Sequence, residues 1–251
     1  MKMTGKTILV TGATSGIGLG LAKAFHALGN TMIVTGRRQA AIDEVVARTP
    51  GIVGMRLDLD DPASLPALKK EVLVRFPALD TVFANAGISG KEDLTDDGWD
   101  AAFSERLVET NINATIRTIA AFLPHLLQQQ AATLMVTGSK LAFLPFAAFP
   151  TYCATKAFLH SWLQSLRHQM RRTELEVLEL LPPYVATKLT GEAQLGDPRA
   201  MPLDAFVNEV MALLAASDHP YGEVLVERAR GDRNAEREGR YDAAFATVNP
   251  A

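Results

Sequence analysis

The sequence predicts a single α/β domain: a doubly wound parallel sheet of about seven strands with helices on both faces. Three observations carry that expectation. Short apolar runs alternate with longer helical stretches, several runs are continuously apolar, and no composition break or long linker divides the 251 residues. Strands covered by helices on both faces read as continuous apolar runs, whereas half-solvated strands alternate. Strand–helix–strand repetition implies right-handed crossovers between parallel strands. A chain of this length can bury a full core as one domain.

Taken in order, residues 7–10 form the first apolar run, and a glycine-rich turn then opens a helix over 16–28. Runs at 32–35 and 52–57 read as the second and third strands, followed by helices at 40–48 and 64–76. The fourth strand, 81–84, leads through a loop to a long apolar-striped helix at 98–129. The fifth, 133–137, precedes a helix at 151–172, in which Phe158, Leu159, Trp162, Leu163, Leu166 and Met170 recur at spacings of three and four. The sixth strand, 177–181, ends at Pro182-Pro183, and Gly191, Gly196 and Pro198 mark residues 187–202 as a loop suited to a mobile lid over substrate. A helix at 203–216 and a strand at 224–226 complete the pattern, leaving a charged tail over 228–251 whose stretch 232–241 is expected on the surface.

Composition narrows the function classes. A formal net charge of -3, with basic residues clustered only at 167–172 and 228–230, offers no footprint for nucleic acid. No apolar run approaches the roughly 18 residues a membrane-spanning helix needs, and the first residues do not read as a signal peptide. The single Cys153 excludes an internal disulfide and fits a reducing compartment, so a cytoplasmic protein without membrane partners is expected. The 5 histidines show no His-Glu-x-x-His pattern or other short ligand pairing, so no catalytic metal is expected.

The turn after the first strand, Thr11-Gly12-Ala13-Thr14-Ser15-Gly16-Ile17-Gly18, carries the first chemical signal. Glycines permit a tight turn and close backbone approach, and the helix N-terminus favours an anion, which together suit the pyrophosphate of a dinucleotide. Gly12, Ser15, Gly16, Ile17 and Gly18 are the expected contacts. No Gly-Lys-Ser or Gly-Lys-Thr follows, so a mononucleotide P-loop is excluded. An NAD site places an acid at the end of the second strand to hold the ribose hydroxyls. Here that strand ends Gly36-Arg37-Arg38, with no acid before Asp43. Two guanidiniums at this point suit a 2′-phosphate, so NADP(H) is expected over NAD(H).

Two Tyr-x-x-x-Lys pentapeptides occur, Tyr152 with Lys156 and Tyr184 with Lys188. Residues four apart meet only on a helix. Tyr152 opens the helical rhythm described above, whereas Tyr184 follows Pro182-Pro183 in a loop. The Tyr152–Lys156 pair is therefore the expected reacting pair, with the ammonium drawing the phenol below its usual value of about 10. Such a tyrosine is a general acid/base for alcohol and carbonyl chemistry. Cys153 falls on another face of the helix and reads as packing.

With Gly12, Gly16, Gly18, Tyr152 and Lys156 in this order, the chain resembles the short-chain dehydrogenase/reductase family over essentially its whole length. The resemblance implies a Rossmann-type domain and assigns further roles. Asn85-Ala86-Gly87 is similar to the family segment that supports the sheet and borders the cofactor, and Asp58-Leu59 to the adenine-contacting position. Asn111 matches the asparagine that holds a proton-relay water, with Asn113 as a competitor. Ser139, thirteen residues before Tyr152, matches the substrate-orienting serine. Pro182, Val185 and Thr187 match the segment at the nicotinamide end, although Pro183 replaces the usual glycine. The implied activity is NADPH-dependent reduction of a ketone or aldehyde, or the reverse oxidation of an alcohol. In it Tyr152 donates the proton, Ser139 steadies the oxygen, and Lys156 also binds the nicotinamide ribose. A sensor that binds NADPH without turnover is the alternative. The family also implies a homodimer or homotetramer. Leu141–Phe149, Tyr184 and residues 187–202 are the expected pocket walls, with the core or a subunit interface as the equal alternative for the first run, and Lys140, Lys188 and Arg199 are the cations available to an anionic substrate.

Overall fold

The computed structural model describes residues 1–61 and 63–250. Its sheet comprises β1 (Thr7–Val10), β2 (Thr31–Gly36), β3 (Val53–Arg56), β4 (Thr81–Ala84), β5 (Thr133–Thr137), β6 (Glu176–Leu181) and β7 (Glu223–Leu225). All are parallel, in the order β3-β2-β1-β4-β5-β6-β7. The chain winds outward one way from β1 to β3 and the other way from β4 to β7. Order therefore reverses between β1 and β4, and a crevice opens there at the carboxyl ends of the strands, where ligands bind in this architecture.

The helices are α1 (Gly16–Ala27), α2 (Gln39–Arg48), α3 (Ser64–Arg75), α4 (Ala102–Val108), α5 (Ala114–Leu126), α6 (Pro150–Met170), α7 (Leu203–Ala216), α8 (Glu227–Asn234) and α9 (Tyr241–Val248). Successive strand residues point to opposite faces. In β1, Ile8 and Val10 join the core beneath α1 and α7 with Phe25, Phe206 and Leu214. Leu9 joins the opposite core with Phe122 of α5 and Leu159 and Leu163 of α6. Phe25, Phe122 and Phe206 are essentially fully buried, each contributing roughly 1.5–3 kcal/mol relative to exposure. These two cores clamp the helices that carry the site. Among the described residues no helix is long and apolar enough to cross a membrane.

Two segments differ from expectation. The single helix expected over 98–129 begins at Ala102 and is interrupted by a π turn, Glu109–Asn113, between α4 and α5. The charged tail forms two helices that lie largely at the surface, as expected, with one exception among its charged residues. Arg233 of α8 is buried and donates to both oxygens of Glu223 at 2.7 Å each, so a residue that composition assigns to solvent is drawn in by a carboxylate from β7. After α9, Asn249 accepts from Ala147 N at 2.6 Å and donates to Pro145 O at 3.0 Å, docking the end of the chain on the segment before α6. Ala251, the last residue of the expected tail, lies outside the described residues.

Candidate active site

The glycine turn lies at the carboxyl end of β1, stitched to its neighbours by short-range chemistry. Thr11 N donates to Phe83 O and Ala13 N to Thr35 O. Asn85 donates to the carbonyls of Thr11 and Gly12 at 3.0 and 3.2 Å and accepts from Thr137 Oγ1 at 3.1 Å, joining β1, β4 and β5. Gly12 and Gly16 have φ of +63° and +57°, the left-handed region where a side chain is strained. A Cβ on Gly12 would lie 2.7 Å from Ala86 Cα, and one on Gly18 2.5 Å from Asn85 Nδ2. The turn therefore presents bare backbone. Ser15 sits at the N-cap of α1 without a side-chain cap, and the first turn holds no acid. Unpaired N–H groups and the helix dipole are thus left to an anion beside Ser15, Gly16 and Ile17. This backbone fits a dinucleotide pyrophosphate.

The end of β2 packs on that turn. A Cβ on Gly36 would lie 2.5 Å from Thr14 Cγ2, so an acid could enter there only by displacing Thr14. Arg37 is exposed and 3.2 Å from Asp60, also exposed, a pairing that solvent keeps weak. Arg38 is exposed at the N-cap of α2. Asp58 receives Asp60 N at 3.3 Å and faces Arg56 at 3.8 Å. Leu59 is partly buried and gives its carbonyl to Arg117 at 3.5 Å. Two exposed guanidiniums, those of Arg37 and Arg38, therefore stand at the end of β2 beside the turn.

Tyr152 and Lys156 lie one turn apart on α6, both buried, and Lys156 Nζ is 5.6 Å from the Tyr152 ring centroid. Lys156 Nζ donates to Thr137 O at 2.8 Å. Burial lowers the Lys156 pKa from 10.5 to about 8, with Glu179 pulling the other way. Burial raises Tyr152 to about 12, against the opposing pull of the Ser139 hydroxyl. The expected drop of Tyr152 below 10 is thus reversed: desolvation of the phenolate outweighs an ammonium that points at Thr137. Tyr184 and Lys188 lie in a loop, as expected; Tyr184 donates to Asp197 at 3.2 Å and Lys188 pairs with Glu192.

Ser139 is buried at the end of β5 and accepts from Leu141 N at 3.1 Å, which leaves its proton free to donate. Asn111 is buried in the π turn, where its amide holds the backbone of Ile88 at 2.9 and 3.0 Å and Thr155 Oγ1 at 3.2 Å. Its competitor Asn113 bonds Glu109 at the surface. A Cβ on Gly87 would come 3.2 Å from Asn111 Oδ1 and 3.8 Å from Lys156 Nζ, so Gly87 keeps a gap between the two side chains.

The segment after β6 closes the other side. Pro182 O accepts from Lys140 N at 3.0 Å, Val185 bridges to Met201, and Thr187 lies beside Gly16, 3.5 Å from a Cβ placed there. Leu144 and Phe149 of the expected wall turn inward, while Leu141 and Phe146 pack with Phe149, Tyr152 and Cys153 as an apolar side to the site. The three expected cations are each met by a carboxylate: Lys140 by Asp232, Lys188 by Glu192, Arg199 by Asp197.

Sequence reasoning missed two residues that position these elements. Gln194, buried, accepts from Thr190 N and Oγ1 and donates to Val185 O at 2.7 Å, so the expected lid is pinned from within. Glu92 accepts from Thr151 N at 3.1 Å and Thr151 Oγ1 at 2.9 Å, and from Ser104. That places a carboxylate at the N-terminus of α6, one residue before Tyr152. Neither carries a local signal, because each partner is distant in sequence or lies in an unpatterned loop.

Residues 6–197 match the family model described as short chain dehydrogenase. The chain is 37% identical to the uncharacterized oxidoreductase DltE of Bacillus subtilis (strain 168), over 99% of this chain and 98% of that one. A short-chain dehydrogenase from Sphingobium yanoikuyae in complex with NADPH superimposes with a TM-score of 0.78 at 26% identity, over 93% of this chain and 94% of that one. A 3-ketoacyl-(acyl-carrier-protein) reductase from Brucella melitensis complexed with NADH has the same fold, with a TM-score of 0.77 at 22% identity over 91% and 100%.

Proposed function

The chain belongs to the short-chain dehydrogenase/reductase family of oxidoreductases, and from that premise we propose that it uses NADPH to reduce a ketone or aldehyde to an alcohol. The observation that carries this reading is the convergence of Ser139, Tyr152 and Lys156 with the Gly87 gap at the carboxyl end of β5. Gly12, Ser15, Gly16, Ile17 and Gly18 would hold the pyrophosphate, Arg37 and Arg38 the 2′-phosphate, and Asp58 and Leu59 the adenine. Asn85, Ala86, Gly87, Pro182, Val185 and Thr187 would enclose the nicotinamide end, with Tyr152 and Lys156 at its ribose. Bound there, the nicotinamide supplies the hydride.

The side chains supply the rest. Tyr152, raised to about 12, stays protonated through neutral pH and is therefore set as the acid that donates to the carbonyl oxygen. Ser139 donates to the same oxygen and stabilises the charge gathering on it. Lys156, lowered to about 8, keeps its charge near pH 7 and faces the tyrosinate left after transfer. Asn111, across the Gly87 gap from Lys156, would hold a relay that returns the proton to Tyr152. The exposed Val108 and Phe158, on α4 and α6, support a homodimer or homotetramer, and a monomeric mass by light scattering would reject that part.

The test follows NADPH and NADH consumption over a panel of ketones and aldehydes with Tyr152→Phe alongside. Turnover that prefers NADPH and falls about 10²–10⁴-fold in the variant, with NADPH binding kept, is the expected result. Wild-type binding of NADPH without turnover on any compound would favour a sensor.

A further inference from the structure

A buried charge beneath the reacting pair has no place in the chemistry above. Glu179, in β6, is 0% exposed. Register sets Val136, Glu179 and Glu223 side by side across β5, β6 and β7, on the sheet face that packs under α6. Glu223 is matched by Arg233 on both oxygens. Glu179 is matched on one only: Oε2 lies 2.8 Å from His160 Nδ1 and 3.2 Å from Arg167. Its Oε1 finds no hydrogen-bond partner among the described residues.

Oε1 abuts Gly138, where a Cβ would lie 2.6 Å from it. Gly138 separates Ser139 from Thr137, whose carbonyl holds Lys156 Nζ. A buried carboxylate with one of its oxygens unbonded is unfavourable unless other charge compensates it. Arg167 meets this charge from one side, and Lys156, one helical turn before His160 on α6, lies within its electrostatic reach from the other. Around Lys156 stand Tyr152 and, one turn on, His160 of its own helix, Asn111 across the Gly87 gap, Thr137 O from β5 and the charge of Glu179 from β6. Among them Glu179 is the one carboxylate.

We propose that Glu179 is a positioning residue whose buried negative charge keeps Lys156 an ammonium, with Arg167 competing for the same carboxylate. The role in catalysis rests on the reading of Tyr152 and Lys156 as the reacting pair, but the charge coupling is measurable without substrate. Lysine labelled with ¹³C at the ε carbon gives an NMR titration of each ammonium in the full chain, and Lys156→Arg identifies the signal.

Glu179→Gln removes the anion, so Lys156 should lose its proton about one pH unit earlier. Arg167→Met removes the competing cation, so the midpoint should move upward. Opposite movements are the signature of electrostatic coupling, because loss of packing alone has no reason to reverse sign. An unmoved midpoint in Glu179→Gln, or movement in the same direction in both variants, overturns the proposal. Should Glu179→Gln fail to fold, Arg167→Met decides: an upward shift supports the coupling and an unmoved midpoint overturns it. In an active enzyme the alkaline fall of kcat/KM should track these midpoints. An inactive carbonyl panel would count against the reductase reading and leave the NMR result standing.

Discussion

Replacing Lys156 with methionine tests whether this ammonium is held in its seat against its own desolvation. Burial lowers its pKa from 10.5 to about 8. The folded chain therefore releases this proton near pH 8 and the unfolded chain near 10.5. Between those values the unfolded state binds more protons, so native stability rises with pH. The interval is about 2.5 pH units at roughly 1.4 kcal/mol each, or about 3 kcal/mol in full. Between pH 7 and pH 10 the gain is about 2–3 kcal/mol after allowing for the rounding of each titration curve. Lys156→Met lacks the group, and the other titrations largely cancel between the two proteins. The difference in unfolding free energy should thus move in favour of the wild type by that amount between pH 7 and pH 10. Urea denaturation followed by circular dichroism, at fixed ionic strength, reads it directly. A difference that stays within about 0.5 kcal/mol across the range, below any effect the linkage allows, would refute the reasoning.

Three further outcomes follow from the geometry. Gly12→Ala forces a side chain onto φ +63° and within 2.7 Å of Ala86 Cα; a strain of about 1–3 kcal/mol should lower the thermal midpoint and weaken dinucleotide binding, and unchanged binding by calorimetry would count against the turn as the pyrophosphate cradle. Arg37→Ala with Arg38→Ala should weaken NADPH about 10- to 100-fold, the loss of one or two charge-assisted bonds, while NADH affinity stays level; equal losses for both would place the preference elsewhere. Asn249→Ala removes the bonds to Ala147 and Pro145, so amide exchange across residues 145–149 should quicken and KM rise with kcat nearly unchanged, whereas wild-type exchange would show that α9 does not brace the wall.

Much of the site was legible because its signals are local. The glycine spacing after β1, and Tyr152 with Lys156 on a helix of regular apolar period, are properties of a few consecutive residues, and the rejection of Tyr184 needed only the prolines before it. The strands and most helices followed for the same reason, since a buried face imposes its period on the chain that forms it. The π turn at Glu109–Asn113 leaves no such mark. Within the tail Arg233 departs from the surface because composition counts charges without their partners: it is buried beside Glu223, the first residue of β7.

The order of motifs along the chain was enough to set the architecture and to single out the candidate dinucleotide turn and the candidate reacting pair. Contacts across the fold decided the state of that pair. Burial, not the neighbouring ammonium, governs Tyr152, and a glutamate 23 residues beyond Lys156 helps govern the lysine. Desolvation and Coulomb energy depend on which atoms surround a charge in space, and spacing along the chain does not specify those atoms for Glu92, Glu179 or Gln194.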